Sequence, residues 1–201
     1  MHIPLTVSDK KSKPDVISDV ADLRLVGNKV VLRRLCRDDA ENVVRWRSQP
    51  QVADQLFSPP PTLDEHLRWF EAAAGSKSRQ EFVIGARTAD GEVPVGTIGL
   101  SGIDARHRRA EYGILLGETR AVGQGLAAEA SALLLTYAFE TLDLHRVILQ
   151  LFHDNARALR LYGRLGFVTE GVLRDHAVRR GVYVDVVVMG LLRDEWLQHQ
   201  S

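Results

Sequence analysis

One stretch constrains this chain more than any other: RAEYGILLGETRAVGQGLAAEA, running from Arg109 to Ala130. Glu111 to Leu116 is an apolar, β-favouring run that reads as a buried strand. Val122 to Ala127 is a turn carrying Gly123 and Gly125. From Leu126 onward the apolar spacing becomes that of a helix. A strand that passes through a glycine turn into a helix start can hold a phosphate. Glycine lets the backbone approach closely and take positive φ. The first helical N–H groups lack partners inside the helix and point at whatever anion lies there. The same pattern also occurs as a plain tight connection, so its surroundings decide its meaning.

The 201 residues predict one domain with ample chain for a core, assigned to residues 22–201. Residues 1–21 are polar, carry Lys10, Lys11, Lys13 and Pro14, and read as a flexible tail. Lys plus Arg equals Asp plus Glu at 26 each, so no global field favours nucleic acid or a membrane surface. Cys36 is the only cysteine, which excludes an intrachain disulfide and a cysteine zinc cluster. It is expected to pack beside the first strand. No apolar run approaches the roughly 20 residues of a membrane span, and Met1 to Asp19 lacks the apolar core of a signal peptide. The expected location is cytoplasmic. No His, Asp or Glu spacing suggests a metal.

In chain order, Val30 to Leu35 is a short strand. Asp38 or Asp39 then caps a helix that runs to about Ser48 and ends at Gln49-Pro50. Gln51 to Phe57 has no assignable pattern, and Ser58 to Pro61 is a stiff link. Thr62-Leu-Asp-Glu65 is a capping box that opens a second helix with an apolar face of Leu63, Leu67 and Phe70. Glu81 to Arg87 and Val95 to Leu100 are strands, joined through Asp90-Gly91 as a hairpin. After the focal strand and turn, Leu126 to Thr141 is a helix. Arg146 to Phe152 is a near-continuous apolar strand of the type buried on both faces. Asp154 or Asn155 caps a helix that Gly166 stops. A strand begins at Phe167, and Val182 to Leu192 closes the sheet.

This element order, the VGQGLA turn, the NARALRLYGRLGF segment from Asn155 to Phe167 and the final hairpin together resemble the GCN5-related N-acetyltransferase (GNAT) superfamily. The likeness spans about Val30 to Trp196, and lies with the branch holding ribosomal-protein, spermidine and amino-sugar N-acetyltransferases. It implies an α/β (α+β) GNAT fold: a mixed, mostly antiparallel sheet of about six or seven strands, a central splayed parallel pair and about four helices. It also implies acetyl transfer from acetyl-CoA to a primary amine. The family turn usually begins with Gln or Arg, where this chain has Val122 if the register is set by Gly125-Leu126-Ala127. That register is preferred because the helix should start there.

On this resemblance the pyrophosphate of CoA would lie on the backbone of Val122, Gly123, Gln124, Gly125, Leu126 and Ala127. The pantetheine arm would pair with the open edge of Ile114, Leu115 and Leu116. A backbone N–H at Leu115 or Leu116 would face the thioester oxygen, and Gly113 would suit a bulge there. Tyr162 is the candidate acid, or else an ordinary core aromatic. Glu111 is the candidate base, acting through water, or else a surface ion-pair partner of Arg108 or Arg109. Asn155, with Ala158 one turn on, would contact the cofactor, and Asn155 would cap its helix. Arg164 would reach a phosphate or simply be solvated. His145 reads as a structural turn, and His66 and His176 lie in substrate-side segments with no role assigned.

The acceptor is expected to be a small-molecule amine. Arg45, Arg47 and Arg68 would suit a diphosphate, which favours an amino sugar, including a nucleotide-linked one. His107 to Tyr112 looks like a spermidine acetyltransferase segment, but Phe57 to Pro61 lacks the carboxylates a polycation needs. A polyamine or a protein N-terminal amine is therefore the alternative. A non-catalytic acyl-CoA-binding module is the remaining reading. Exposed sheet edges leave a homodimer open.

Overall fold

A computed structural model describes residues 23–73 and 75–200. The expected tail, residues 1–21, lies outside them. Eight strands form one sheet in the order β1-β2-β3-β4-β5-β6-β8-β7. They are β1 (Arg24–Val26), β2 (Val30–Arg34), β3 (Gln80–Thr88), β4 (Gly91–Asp104), β5 (Arg109–Leu116), β6 (Arg146–Phe152), β7 (Val168–Arg179) and β8 (Val182–Leu192). Helices α1 (Ala40–Arg47), α2 (Pro50–Ala53) and α3 (Leu63–Ala73) separate β2 from β3. Helix α4 (Leu126–Thr136) follows β5, α5 (Ala156–Arg164) follows β6, and α6 (Arg193–His199) ends the described chain. Every neighbouring pair is antiparallel except β5–β6. This is the α+β architecture expected, with more strands and helices than the sequence predicts.

The additions have local causes. β1 is only three residues long, too short to show alternation, yet its Leu25 is fully buried. Pro50 does not merely end α1. It opens α2 at the first helical position, where its missing N–H costs nothing. The box at Thr62 forms as predicted: the Glu65 N–H donates to Thr62 Oγ1 at 3.2 Å, and the Thr62 N–H donates to Glu65 Oε2 at 2.7 Å. The buried residue of α3, however, is His66, stacked on Trp69 with ring centroids 5.2 Å apart, while Leu63 is exposed. Cys36 is also exposed, with its Sγ 3.2 Å from Asp39 Oδ2. Both β5 and β6 alternate between buried and more exposed positions rather than being buried throughout.

Period-two alternation sorts the sheet into two faces. Leu25, Leu32, Ile84, Ile98, Leu100 and Tyr112 point into the main core, under Leu126, Ala130 and Leu134 of α4. The opposite face of β5 carries Leu115, which packs with Val43 and Trp46 of α1. The Trp46 indole N–H donates to Glu118 Oε1 at 2.8 Å, and Arg45 holds the same oxygen at 2.7 Å. Those two bonds hold the Glu118 carboxyl below its usual range. Gly117 lets the indole lie against the backbone, since any Cβ there would intrude on the Trp46 side chain.

We expect Gly117→Ala to destabilise the fold by roughly 1–3 kcal/mol through overpacking. Denaturant unfolding followed by tryptophan fluorescence measures this. An unchanged midpoint would show that α1 is free to shift.

Candidate active site

β5 is zipped to β4 from Arg109 to Leu116, and β6 is paired to β8 along all of Arg146–Phe152. β5 and β6 pair with each other only through Arg109–Arg146, Ala110–Val147 and Glu111–Ile148. Beyond Glu111 the two strands part. A cleft of about 540 Å³ opens between them. The expected bulge at Gly113 is absent: its pairing with Gly99 continues the β4 register without interruption. A Cβ at Gly113 would meet open space, so the missing side chain leaves room in the cleft.

Ile114, Leu115 and Leu116 all line the cleft. The Gly117 N–H donates to the Val95 carbonyl on β4 at 2.8 Å. By alternation along a strand, the main-chain groups of Leu115 also face β4, and those of Ile114 and Leu116 face the gap. Leu116, rather than Leu115, is therefore the residue whose N–H is available there.

The turn after β5 leaves a row of main-chain N–H groups without partners among the described residues. Gly123 and Gly125 take φ of +88° and +82°, and α4 begins at Leu126 as the preferred register requires. The Val122 N–H is not available, because it donates to the Thr119 carbonyl at 3.1 Å. Among the described residues, the N–H groups from Gly123 to Ala128 have no partner, and the first helical bond runs from Glu129 N–H to the Gly125 carbonyl. Val122 and Ala127 line the cleft, while Gly123, Gln124 and Gly125 are exposed at its mouth. The Leu126 side chain is buried in the core, so only its backbone is available.

Helix α5 forms the other wall. Asn155 caps it: its Oδ1 accepts from the Ala158 N–H at 3.0 Å. Its Nδ2 donates to Gln55 Oε1 at 2.9 Å, so both ends of the amide are engaged. Asn155, Ala158, Leu161 and Tyr162 all face the cleft. Arg164 does not line it; its Nε donates to the Arg160 carbonyl at 3.2 Å. Arg157, two turns earlier on the same helical stripe, lines the cleft instead.

Tyr162 is 8% exposed, with its ring edge-on to Tyr112 at 5.8 Å. Its hydroxyl makes no hydrogen bond among the described residues, and burial pushes its pKa up to about 12. The Tyr112 hydroxyl is sealed against Ser131 Oγ at 2.6 Å, and burial holds it well above the ordinary tyrosine value. Among the described residues Glu111 is the one carboxylate lining the cleft, and it is exposed. It has no ion-pair partner among the described residues, because Arg108 engages Asp143 and Arg109 lies by Asp104. By alternation Glu111 shares the α1 face with Leu115, whereas Tyr162 packs on the opposite face with Tyr112.

The α2 segment straps the Glu111 side. Gln49, Gln55 and Phe57 line that end of the cleft. Arg180, in the β7–β8 turn, donates its Nε to Asp54 at 2.7 Å, and Phe57 lies 4.7 Å from Phe152 between ring centroids. None of Arg45, Arg47 and Arg68, expected to meet a diphosphate, lines the cleft. Arg45 is spent on Glu118, and Arg47 faces a second cavity.

Residues 29–168 match the protein-family model described as the acetyltransferase (GNAT) domain. The chain belongs to the GNAT acetyltransferases. It is an acetyl-CoA-dependent N-acetyltransferase. It is 30% identical to the uncharacterized N-acetyltransferase p20 of Bacillus licheniformis, over 86% of this chain and 97% of that protein. It is 29% identical to the spermidine N(1)-acetyltransferase of Escherichia coli (strain K12), over 87% of this chain and 92% of that protein. The spermidine N-acetyltransferase of Vibrio cholerae, solved in complex with CoA and spermine, superposes with a TM-score of 0.79 at 27% identity. That match covers 85% of this chain and 99% of that one.

The run of unpaired N–H groups from Gly123 to Ala128 fits the anionic diphosphate of the GNAT co-substrate. Sequence reasoning missed Lys29, which stands beside this turn with its Nζ 3.3 Å from the Gln124 carbonyl. Lys29 lies in the β1–β2 turn, and no local pattern links it to a loop so far along the chain.

Filling the space beside Gly113 tests whether the gap is the working part of the GNAT cleft. We expect Gly113→Leu to retain its fold by circular dichroism while kcat/KM falls on the order of 10²-fold through misplaced reactants. Wild-type kinetics in this variant would move the chemistry elsewhere.

Proposed function

We propose that the acetyl group moves directly to an amine held with acetyl-CoA in a ternary complex, and that the amine belongs to a polyamine of the spermidine type. The two-sided gap carries the first half of this reading. Tyr162 approaches it from the α4 face and Glu111 from the α1 face, so thioester and amine can meet from opposite sides of the sheet. The spermidine enzymes among the relatives support the second half.

Acetyl-CoA supplies an activated acyl group and a thiolate leaving group. Its diphosphate would rest on the N–H groups from Gly123 to Ala128, with Lys29 and Arg157 near enough in the fold to add positive charge. The inward main-chain groups of Ile114 and Leu116 offer the arm a strand edge. The Leu116 N–H suits the carbonyl oxygen, where a preorganised donor contributes most. Glu111, unpaired and in the cleft, takes a proton from the ammonium through water. Tyr162 stays protonated at neutral pH because burial raises its pKa, so it keeps a proton to give to the departing sulfur.

The acceptor end has amide walls from Gln49, Gln51, Gln55 and Gln150, and one carboxylate. A single carboxylate places one ammonium and leaves the rest of a polyamine to solvent. The same observation also favours a second reading, a monoamine such as an amino sugar or amino acid. The nucleotide-linked form of that reading loses its basis, because its three arginines lie elsewhere.

Free-thiol release with an amine panel tests the acceptor. Spermidine should exceed glucosamine and free amino acids in kcat/KM. The opposite order would select the second reading, and no thiol release with any amine would overturn both. We expect Tyr162→Phe to lower kcat about 10²-fold with KM for acetyl-CoA nearly unchanged. The raised pKa means the protonated form is present below about pH 12 and is lost only as pH rises through that value. The ratio of wild-type to Tyr162→Phe rates should therefore stay flat from neutral to mildly alkaline pH. A ratio that collapses near neutrality would remove Tyr162 as the acid.

A further inference from the structure

A second cavity, of about 590 Å³, lies between α1, α3, Ser58–Pro61 and the β3–β4 surface. It shares no lining residue with the cleft, yet the two meet at one peptide bond: Phe57 lines the cleft and Ser58 lines the cavity. Its interior is chemically uneven. Glu81 is engaged by Arg79 at 2.8 Å, and that guanidinium lies over the Trp69 ring at 5.5 Å. Glu65, at the exposed rim, is turned onto Thr62. Arg47 is half-buried and has no ion-pair partner among the described residues. Its single hydrogen bond goes to Ser58 Oγ at 2.9 Å. Loss of hydration draws its pKa below the ordinary guanidinium value, although Glu81 pulls the other way. His66 is kept toward the neutral form by burial and by Arg47.

The cavity therefore offers one guanidinium with no ion-pair partner among the described residues, its charge only partly offset by Glu81 and most of its five donors unused, in a space also lined by the Trp69 indole and three prolines. A planar fork of N–H donors matches a carboxylate, and the indole and prolines suit a compact apolar body. From this geometry we propose that the cavity is an effector site for a small organic carboxylate, held by Arg47 against Trp69. A carboxylate on Arg47 competes with Ser58 for the guanidinium. The backbone at Ser58 then shifts Phe57 at the acceptor end of the cleft. Occupancy changes KM for the amine and leaves acetyl-CoA binding alone, and by linkage the amine changes the affinity for the carboxylate by the same factor.

The test uses the full chain and three probes, benzoate, succinate and citrate, followed by calorimetry and by Trp69 fluorescence. At least one should bind saturably below about 10 mM. That binding should persist with CoA at saturation and weaken about tenfold or more in Arg47→Met. Arg47→Lys, which keeps the charge and loses the fork, should fall between and serves if Arg47→Met does not fold. The bound probe should shift the amine KM in wild type and not in either variant. Binding by none of the three, binding unaffected at Arg47, displacement by CoA, or capture of spermidine in place of the anions would each overturn the proposal. None of these binding readouts needs the acceptor to be known, so failure here is separable from failure of the spermidine reading.

Discussion

Three residue pairs hold the two parts of this sheet together. β1 to β5 form one antiparallel ribbon, β6, β8 and β7 form another, and their strands pair from Arg109 to Glu111 against Arg146 to Ile148, where the His145 and Arg146 N–H groups also donate to the Arg108 carbonyl. Each strand at the seam is paired along its outer edge, β5 to β4 and β6 to β8, which leaves its inner-edge groups free beyond Glu111. The gap opens where β5–β6 pairing stops at Glu111 and Ile148, with the β4–β5 register unbroken at Gly113.

Everything chemical is arranged around that parting. The chain leaving β5 takes a left-handed bend at Gly123 and another at Gly125, so a row of N–H groups faces outward where the helix would otherwise have absorbed them. The chain leaving β6 turns at Asn155 into α5, whose Tyr162 packs against Tyr112. The Tyr112 hydroxyl donates to Ser131 Oγ, which donates in turn to the Ala127 carbonyl. Tyr162 has no such partner, and of these two buried phenols only it lies free to bond with something that enters. On the far face α2 spans the opening through Asn155–Gln55 and Arg180–Asp54, with Phe57 on Phe152.

Features written in a few adjacent residues were legible before the coordinates: the glycine turn and the α4 start, the Thr62–Glu65 box, the Asn155 cap and the Asp90-Gly91 hairpin. Features set by distant segments were not. Lys29 reaches the turn because β1 and β2 place it there, and β1 was too short to see. Arg157 and Arg164 occupy the same stripe of α5, and only the position of β5 tells which one meets the cleft. His66 was not among the residues assigned to the apolar face of α3, because its burial depends on partners such as Trp69. The three arginines assigned to a diphosphate share basic character but not direction, and direction is a tertiary property.

The short seam has a thermodynamic consequence. On the proposed placement, an arm bearing amides along Ile114 and Leu116 would serve as the strand this sheet lacks. The protein without it is a ninth-strand acceptor with its edge open, and the inward amides of those two residues should exchange faster than those of Gly113 and Leu115, which face β4. A co-substrate bound there would act as a splint across the parting that begins at Glu111.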